Sequence, residues 1–75
     1  MNVTVKLVGG LIHTLGFSER DLDLPPGSTV AELLDALGID RDLPLIVGRN
    51  GWAIEAVDEV QEGDRIMVSP VFSGG

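Results

Sequence analysis

An α+β fold, with a mixed four- to five-stranded sheet and one main helix packed on one face, follows from three features of the chain. Residues 2–8 alternate in polarity, with Val3, Val5 and Leu7 on one side and Asn2, Thr4 and Lys6 on the other, as a half-buried strand does. Val30, Leu33, Leu34 and Leu37 recur at i, i+3, i+4 and i+7, which lines one face of a helix. Asn50-Gly51 separates two apolar runs, and both residues tolerate the positive φ of a tight hairpin turn. One apolar helical stripe can cover only one side of a sheet, which gives a two-layer arrangement.

The first strand ends at Gly9-Gly10, and a loop through Gly16 follows, with Leu11, Ile12 and Leu15 tucked against the core. His13 has no second His or Cys nearby, so it reads as a structural or solvent-facing residue and not a metal ligand. From Phe17 to Leu24 the polarity alternates again: Leu22 and Leu24 face in, and Glu19, Asp21 and Asp23 face water. This second strand pairs most simply with the first. Pro25-Pro26-Gly27 turns the chain. Ser28 or Thr29 can then cap the helix, and Thr29 is preferred because Glu32 completes a capping box with it. Gly38 closes the helix. Ile39 to Leu43 connects to a third strand, Pro44-Leu45-Ile46-Val47, whose continuous apolar run predicts an interior position. Trp52-Ala53-Ile54 is the short return strand after the Asn-Gly turn. Trp52 is expected to be a partly buried core aromatic, with a partner anchor as the other reading. A loop over Val60 to Asp64 leads to the last strand, Arg65 to Ser69, and Pro70 ends it because it has no N–H for a ladder bond.

Length and composition restrict function. Seventy-five residues make one domain, and a chain of this size buries only about 60% of its unfolded surface. The hydrophobic fraction of 44% suffices for one core and argues against disorder. With no cysteine there are no disulfides, thiolate metal sites or cysteine nucleophiles. No apolar run approaches the roughly 20 residues of a membrane span, and the N-terminus lacks the blocks of a signal peptide. A soluble cytoplasmic protein without membrane contact is expected. A net charge of −7 disfavours nucleic acid as a partner. It suits a basic docking site on another protein, although acidic charge also serves solubility alone.

The end of the chain, Pro70-Val71-Phe72-Ser73-Gly74-Gly75, has two readings. A terminal Gly-Gly can be a frayed end. It can also be a thread without Cβ atoms that carries a bare carboxylate into a narrow channel of another protein. The domain is accordingly divided into a body, residues 1–69, and a flexible tail, residues 70–75.

The Asn50-Gly51 turn after the apolar third strand, the run Glu62-Gly63-Asp64-Arg65-Ile66 before the last strand, and the terminal Gly74-Gly75 at a fixed distance beyond it together resemble the ThiS/MoaD sulfur-carrier family. These proteins have the ubiquitin-like β-grasp fold, and the resemblance spans essentially the whole chain. It is closest to the small subunit of molybdopterin synthase, although a single proline stands where many members have two, and Phe72 is bulkier than the usual residue. The resemblance implies that an E1-like adenylyltransferase uses ATP to adenylate the Gly75 carboxylate. A sulfur donor such as a cysteine desulfurase or rhodanese then converts it to a thiocarboxylate. An acceptor enzyme, such as the molybdopterin-synthase large subunit, takes the sulfur; thiamine and tRNA thiolation stay open as pathways. Gly75 would carry the chemistry, and Gly74, Ser73, Phe72, Val71 and Pro70 would bind the partner. The chain would bind no cofactor or metal and would not itself be an enzyme, since it has no phosphate-binding loop and no nucleophile–base pair of its own. A protein modifier conjugated through Gly75 and a passive β-grasp interaction module are the alternatives.

Overall fold

The computed structural model describes residues 1–40 and 42–71. The element order is β1 (Asn2–Leu7), α1 (Leu11–Leu15), β2 (Glu19–Asp23), α2 (Val30–Leu37), β3 (Leu45–Arg49), β4 (Trp52–Ile54) and β5 (Arg65–Pro70). The strands form one mixed sheet in the order β2-β1-β5-β3-β4. β1 and β5 are parallel in the middle, and the other neighbours are antiparallel.

α2 is fixed at both ends by bonds that the sequence encodes. Thr29 caps it: its hydroxyl accepts from the Glu32 N–H at 3.3 Å, and its own N–H donates to Glu32 Oε1 at 3.0 Å. The N–H groups of Val30 and Ala31 donate to the carbonyls of Asp58 and Ala56, both at 2.9 Å, so the loop after β4 supplies acceptors that the first helical turn lacks. At the other end Gly38 has φ 76°. Its N–H donates to Asp35 O and that of Ile39 to Leu34 O, each at 3.0 Å, a Schellman closure. The stripe Val30, Leu33, Leu34 and Leu37 is buried against Val3, Val5, Leu7, Ile66 and Val68. The core is centred between this helix and one sheet face, and it also takes in Leu11, Leu24, Ile39 and Val60.

Three expectations are corrected. Residues 11–15 form a helix and not a loop; Leu11 is its buried residue, and Ile12 and Leu15 pack at the margin of the core. No side chain caps α1, so the sequence carries no start signal for it. β5 includes Pro70, which pairs with Leu45, so the strand runs one residue beyond Ser69. Trp52 is not a core aromatic: it is 79% exposed. It opens the edge strand directly after the turn, opposite Arg49, and among the described residues no further strand lies beyond it. β3 does occupy an interior place in the sheet, but its apolar run is not covered on both sides, and Ile46 is 47% exposed.

Candidate functional site: the open sheet face and the root of the tail

Register pairing lines up the residues of the face opposite α2. One row crosses the whole sheet from edge to edge: Glu19, Lys6, Met67, Gly48 and Ala53. A neighbouring row contains Asp21, Thr4 and Arg65, with Thr4 Oγ1 donating to Asp21 Oδ1 at 2.8 Å. Towards the tail, Ile46 pairs with Ser69. The face therefore changes character across its width. The β2 side carries Glu19 and Asp21, and the β3–β5 side is apolar at Met67, 42% exposed, and Ile46, 47% exposed, with the exposed Arg65 at its far end, 3.8 Å from Glu19. Among these side chains lies a shallow groove of about 490 Å³, whose lining includes Lys6, Arg65, Ile46, Gly48, Met67 and the exposed Trp52. Gly48 leaves its floor bare; a Cβ there would stand 4.0 Å from the Met67 methyl.

The tail begins beside this face. Pro70 is half-buried as the last residue of β5, and Val71 is 52% exposed. The Val71 N–H donates to the Pro44 carbonyl at 3.1 Å, which extends the β5–β3 ladder by one bond past the strand. Gly9, with φ 65°, turns the chain away after β1, and a Cβ there would stand 3.9 Å from the Pro70 ring. Phe72, Ser73, Gly74 and Gly75 lie outside the described residues, so the structure brings together only Pro70 and Val71 of the six tail positions.

The Glu62-Gly63-Asp64-Arg65 run is a clasp that ties the loop to the sheet. Asp64 Oδ2 accepts from Arg49 Nη1 at 3.2 Å and from the Gln61 N–H at 2.8 Å. Arg49 Nη1 also donates to the Glu59 carbonyl at 2.7 Å. The Asn2 N–H donates to Glu62 Oε2 at 3.0 Å, and the Gly63 N–H to the Asn2 carbonyl at 2.8 Å. This motif therefore sets where β5 starts, and through β5 where the tail leaves. Arg49 was not foreseen in this role, because its partners lie ten and fifteen residues away in sequence. His13 is exposed on α1.

The ThiS family model matches residues 5–75, and the chain belongs to that family. The fold is shared with SAMP1 from Haloferax volcanii, at 26% identity over 100% of both chains with a TM-score of 0.84. It is shared too with a putative molybdopterin converting factor subunit 1 from Pyrococcus furiosus, at 23% identity over 93% of this chain and 97% of that one, TM-score 0.81. A third likeness is to the molybdopterin-converting factor from Helicobacter pylori, solved as a complex of subunits 1 and 2, at 20% identity over 100% of both chains, TM-score 0.67. The architecture is thus the ubiquitin-like β-grasp.

Proposed function

We propose that this protein is a sulfur carrier that works through the carboxylate of Gly75. The observation that carries the reading is the family match, which runs through the tail to residue 75. A carboxylate is a poor electrophile. Attack of its oxygen on the α-phosphate of ATP, with pyrophosphate leaving, makes an acyl-adenylate with a good leaving group. The terminal sulfur of a persulfide then displaces AMP, and a thiol reduces the resulting acyl disulfide to the thiocarboxylate. The nucleotide site and the persulfide belong to partner proteins, an E1-like adenylyltransferase and a sulfur donor such as a cysteine desulfurase or rhodanese. Molybdopterin synthesis is the favoured destination, in keeping with the two-subunit complex of the Helicobacter pylori relative.

The open face supplies the docking surface in this reading. Met67, Ile46 and Val71 offer an apolar patch continuous with the tail, and the acidic row on β2 steers approach to a basic partner. Extended, residues 70–75 reach at most about 20 Å, enough to place the carboxylate in a partner's site while the body stays outside. The test is intact-mass analysis after incubation with an E1-like enzyme, ATP and a sulfur source. Wild type should gain the mass of one oxygen exchanged for sulfur. Deletion of Gly75 misplaces the carboxylate, and a shift of about 1 Å can cost on the order of 100-fold in rate. Gly74→Val should obstruct the channel, and a C-terminal tag, which turns the carboxylate into an amide, should abolish activation. A tagged chain that still gives thiocarboxylate-dependent product without being cleaved would sink the reading.

A further inference from the structure

The sheet has two edges, and they are not guarded alike. β2 reads Glu-Arg-Asp-Leu-Asp, charged at four positions of five, and charge on an edge strand discourages a further strand from pairing with it. β4 reads Trp-Ala-Ile and carries no charged residue. Around the two-residue Asn50-Gly51 turn, Arg49 and Trp52 form the flanking pair that exchanges ladder bonds, and Val47 with Ile54 is the next such pair. Ala53, between them, therefore points its N–H and C=O away from β3. Just past the strand the edge is closed, because the Glu55 N–H donates to Asp58 Oδ2 at 2.8 Å. Alternation puts Trp52 and Ile54 on the α2 side of this edge. Ile54 packs at the margin of the core, beside a second groove of about 310 Å³, whose lining includes Leu34, Leu43, Leu45, Val47 and Ala56.

We propose that two copies of this chain pair through their β4 strands, antiparallel, about a two-fold axis at Ala53. The spacing of the residues selects a second copy as the occupant. With Ala53 opposite Ala53, each donates its N–H to the other's carbonyl, which uses the one donor and the one acceptor that each edge offers. Trp52 of either copy then stands opposite Ile54 of the other, on the α2 side. In such a non-hydrogen-bonded pair the Cα atoms are only about 4.5 Å apart, so each indole covers the other copy's Ile54 and the mouth of its groove. Glu55 falls opposite Gly51, so no like charges face each other across the pair. Two indoles burying about 150–250 Å² each on a three-residue edge fall short of the roughly 1,200 Å² of a stable interface. The dimer is therefore weak and forms at high local concentration. Both open faces lie on one side of the joined sheet and stay free, so the pairing neither competes with the docking proposed above nor depends on it.

Trp52 is the only tryptophan in the chain, so its emission reports the contact without a label. The experiment is sedimentation equilibrium of the full chain from about 10 μM to about 1 mM, the range of weak complexes. The mass should rise from 7.9 kDa towards twice that value, with the indole emission moving to the blue in step. Trp52→Glu should raise the dimer Kd at least tenfold without lowering the melting temperature of the dilute protein. Ala53→Pro, which removes the outward N–H and spares the bonds to β3, should do the same to Kd. Because each copy carries −7, raising salt should tighten the dimer. A mass of 7.9 kDa at every concentration, with emission that never shifts, overturns the pairing and leaves the edge to a strand of another protein. A dimer that Trp52→Glu leaves as tight as wild type overturns the site, as does one whose Ala53 amide exchanges as fast as in dilute solution.

Discussion

The two faces of this sheet are built from the same strands and do different things. Under α2, Val3, Val5, Val30, Leu33 and Val68 are at 0% exposure, and every second residue of β1 and β5 is apolar. On the other side the same strands present Thr4, Lys6, Arg65 and Met67, and β3 adds Ile46 at 47% exposure. Among the described residues one amphipathic helix is long enough to cover a face, and it covers one. Apolar side chains left on the open face cost solubility and return nothing to the core. Their continuity with the tail root is the reason to read them as a docking surface. Burial explains the first face; in the function proposed above, a partner explains the second.

That contrast makes graded predictions, largest first. Leu34→Ala, on the covered side and 4% exposed, should cost about 2–5 kcal/mol in a denaturant titration; a loss below about 1 kcal/mol would show that the helix face is not core. Arg49→Ala removes the donor that serves both Asp64 and the Glu59 carbonyl. With the Asp64 side chain 13% exposed, leaving it short of a partner should cost about 1–3 kcal/mol. It should also loosen the start of β5, seen as faster amide exchange of Gln61 and Thr4, whose N–H groups donate to Asp64. Unchanged exchange there would mean that the clasp does not set the strand. Thr29→Ala removes the cap and should cost about 1 kcal/mol, with Glu32→Ala non-additive with it because the two form one reciprocal pair.

What the sequence made legible follows from range. The capping box of Thr29 and Glu32, the Gly38 closure and the Asn50-Gly51 turn are decided within a few residues, and each formed as read: Asn50 has φ 51° and Gly51 φ 90°. α1 was missed because five residues between glycines, with no side-chain cap, carry too little periodicity to separate a helical turn from a loop. Trp52 was misread for a different reason. Hydrophobicity says that a side chain gains by leaving water, but not whether a neighbouring strand is there to cover it, and that depends on strand order. The same gap hid the open side of β3: an apolar run is compatible with two covered faces or with one covered and one reserved. The Arg49–Asp64 clasp was invisible because it joins the end of β3 to the loop before β5, which only the sheet brings together.

The smallest stability effect should come with the largest effect on binding, and this separates the two faces most sharply. Met67→Gln keeps the length and unbranched shape of the side chain and changes only its polarity, at a site 42% exposed on the open face. Removing an apolar group from water-facing surface should move stability by no more than about 0.5 kcal/mol. If Met67 meets a partner, the same change should weaken binding to the adenylyltransferase by about 1–2 kcal/mol, roughly a 5- to 30-fold rise in Kd. Most of that should appear as faster dissociation, because the contact is short-range. Raising salt should do the reverse: it screens the acidic half of the face and slows association far more than it changes dissociation. Surface-based kinetics on wild type and Met67→Gln at two salt concentrations give both numbers. A Met67→Gln protein that binds like wild type removes the apolar half of the face from the interface, and a salt-independent association rate removes the acidic half.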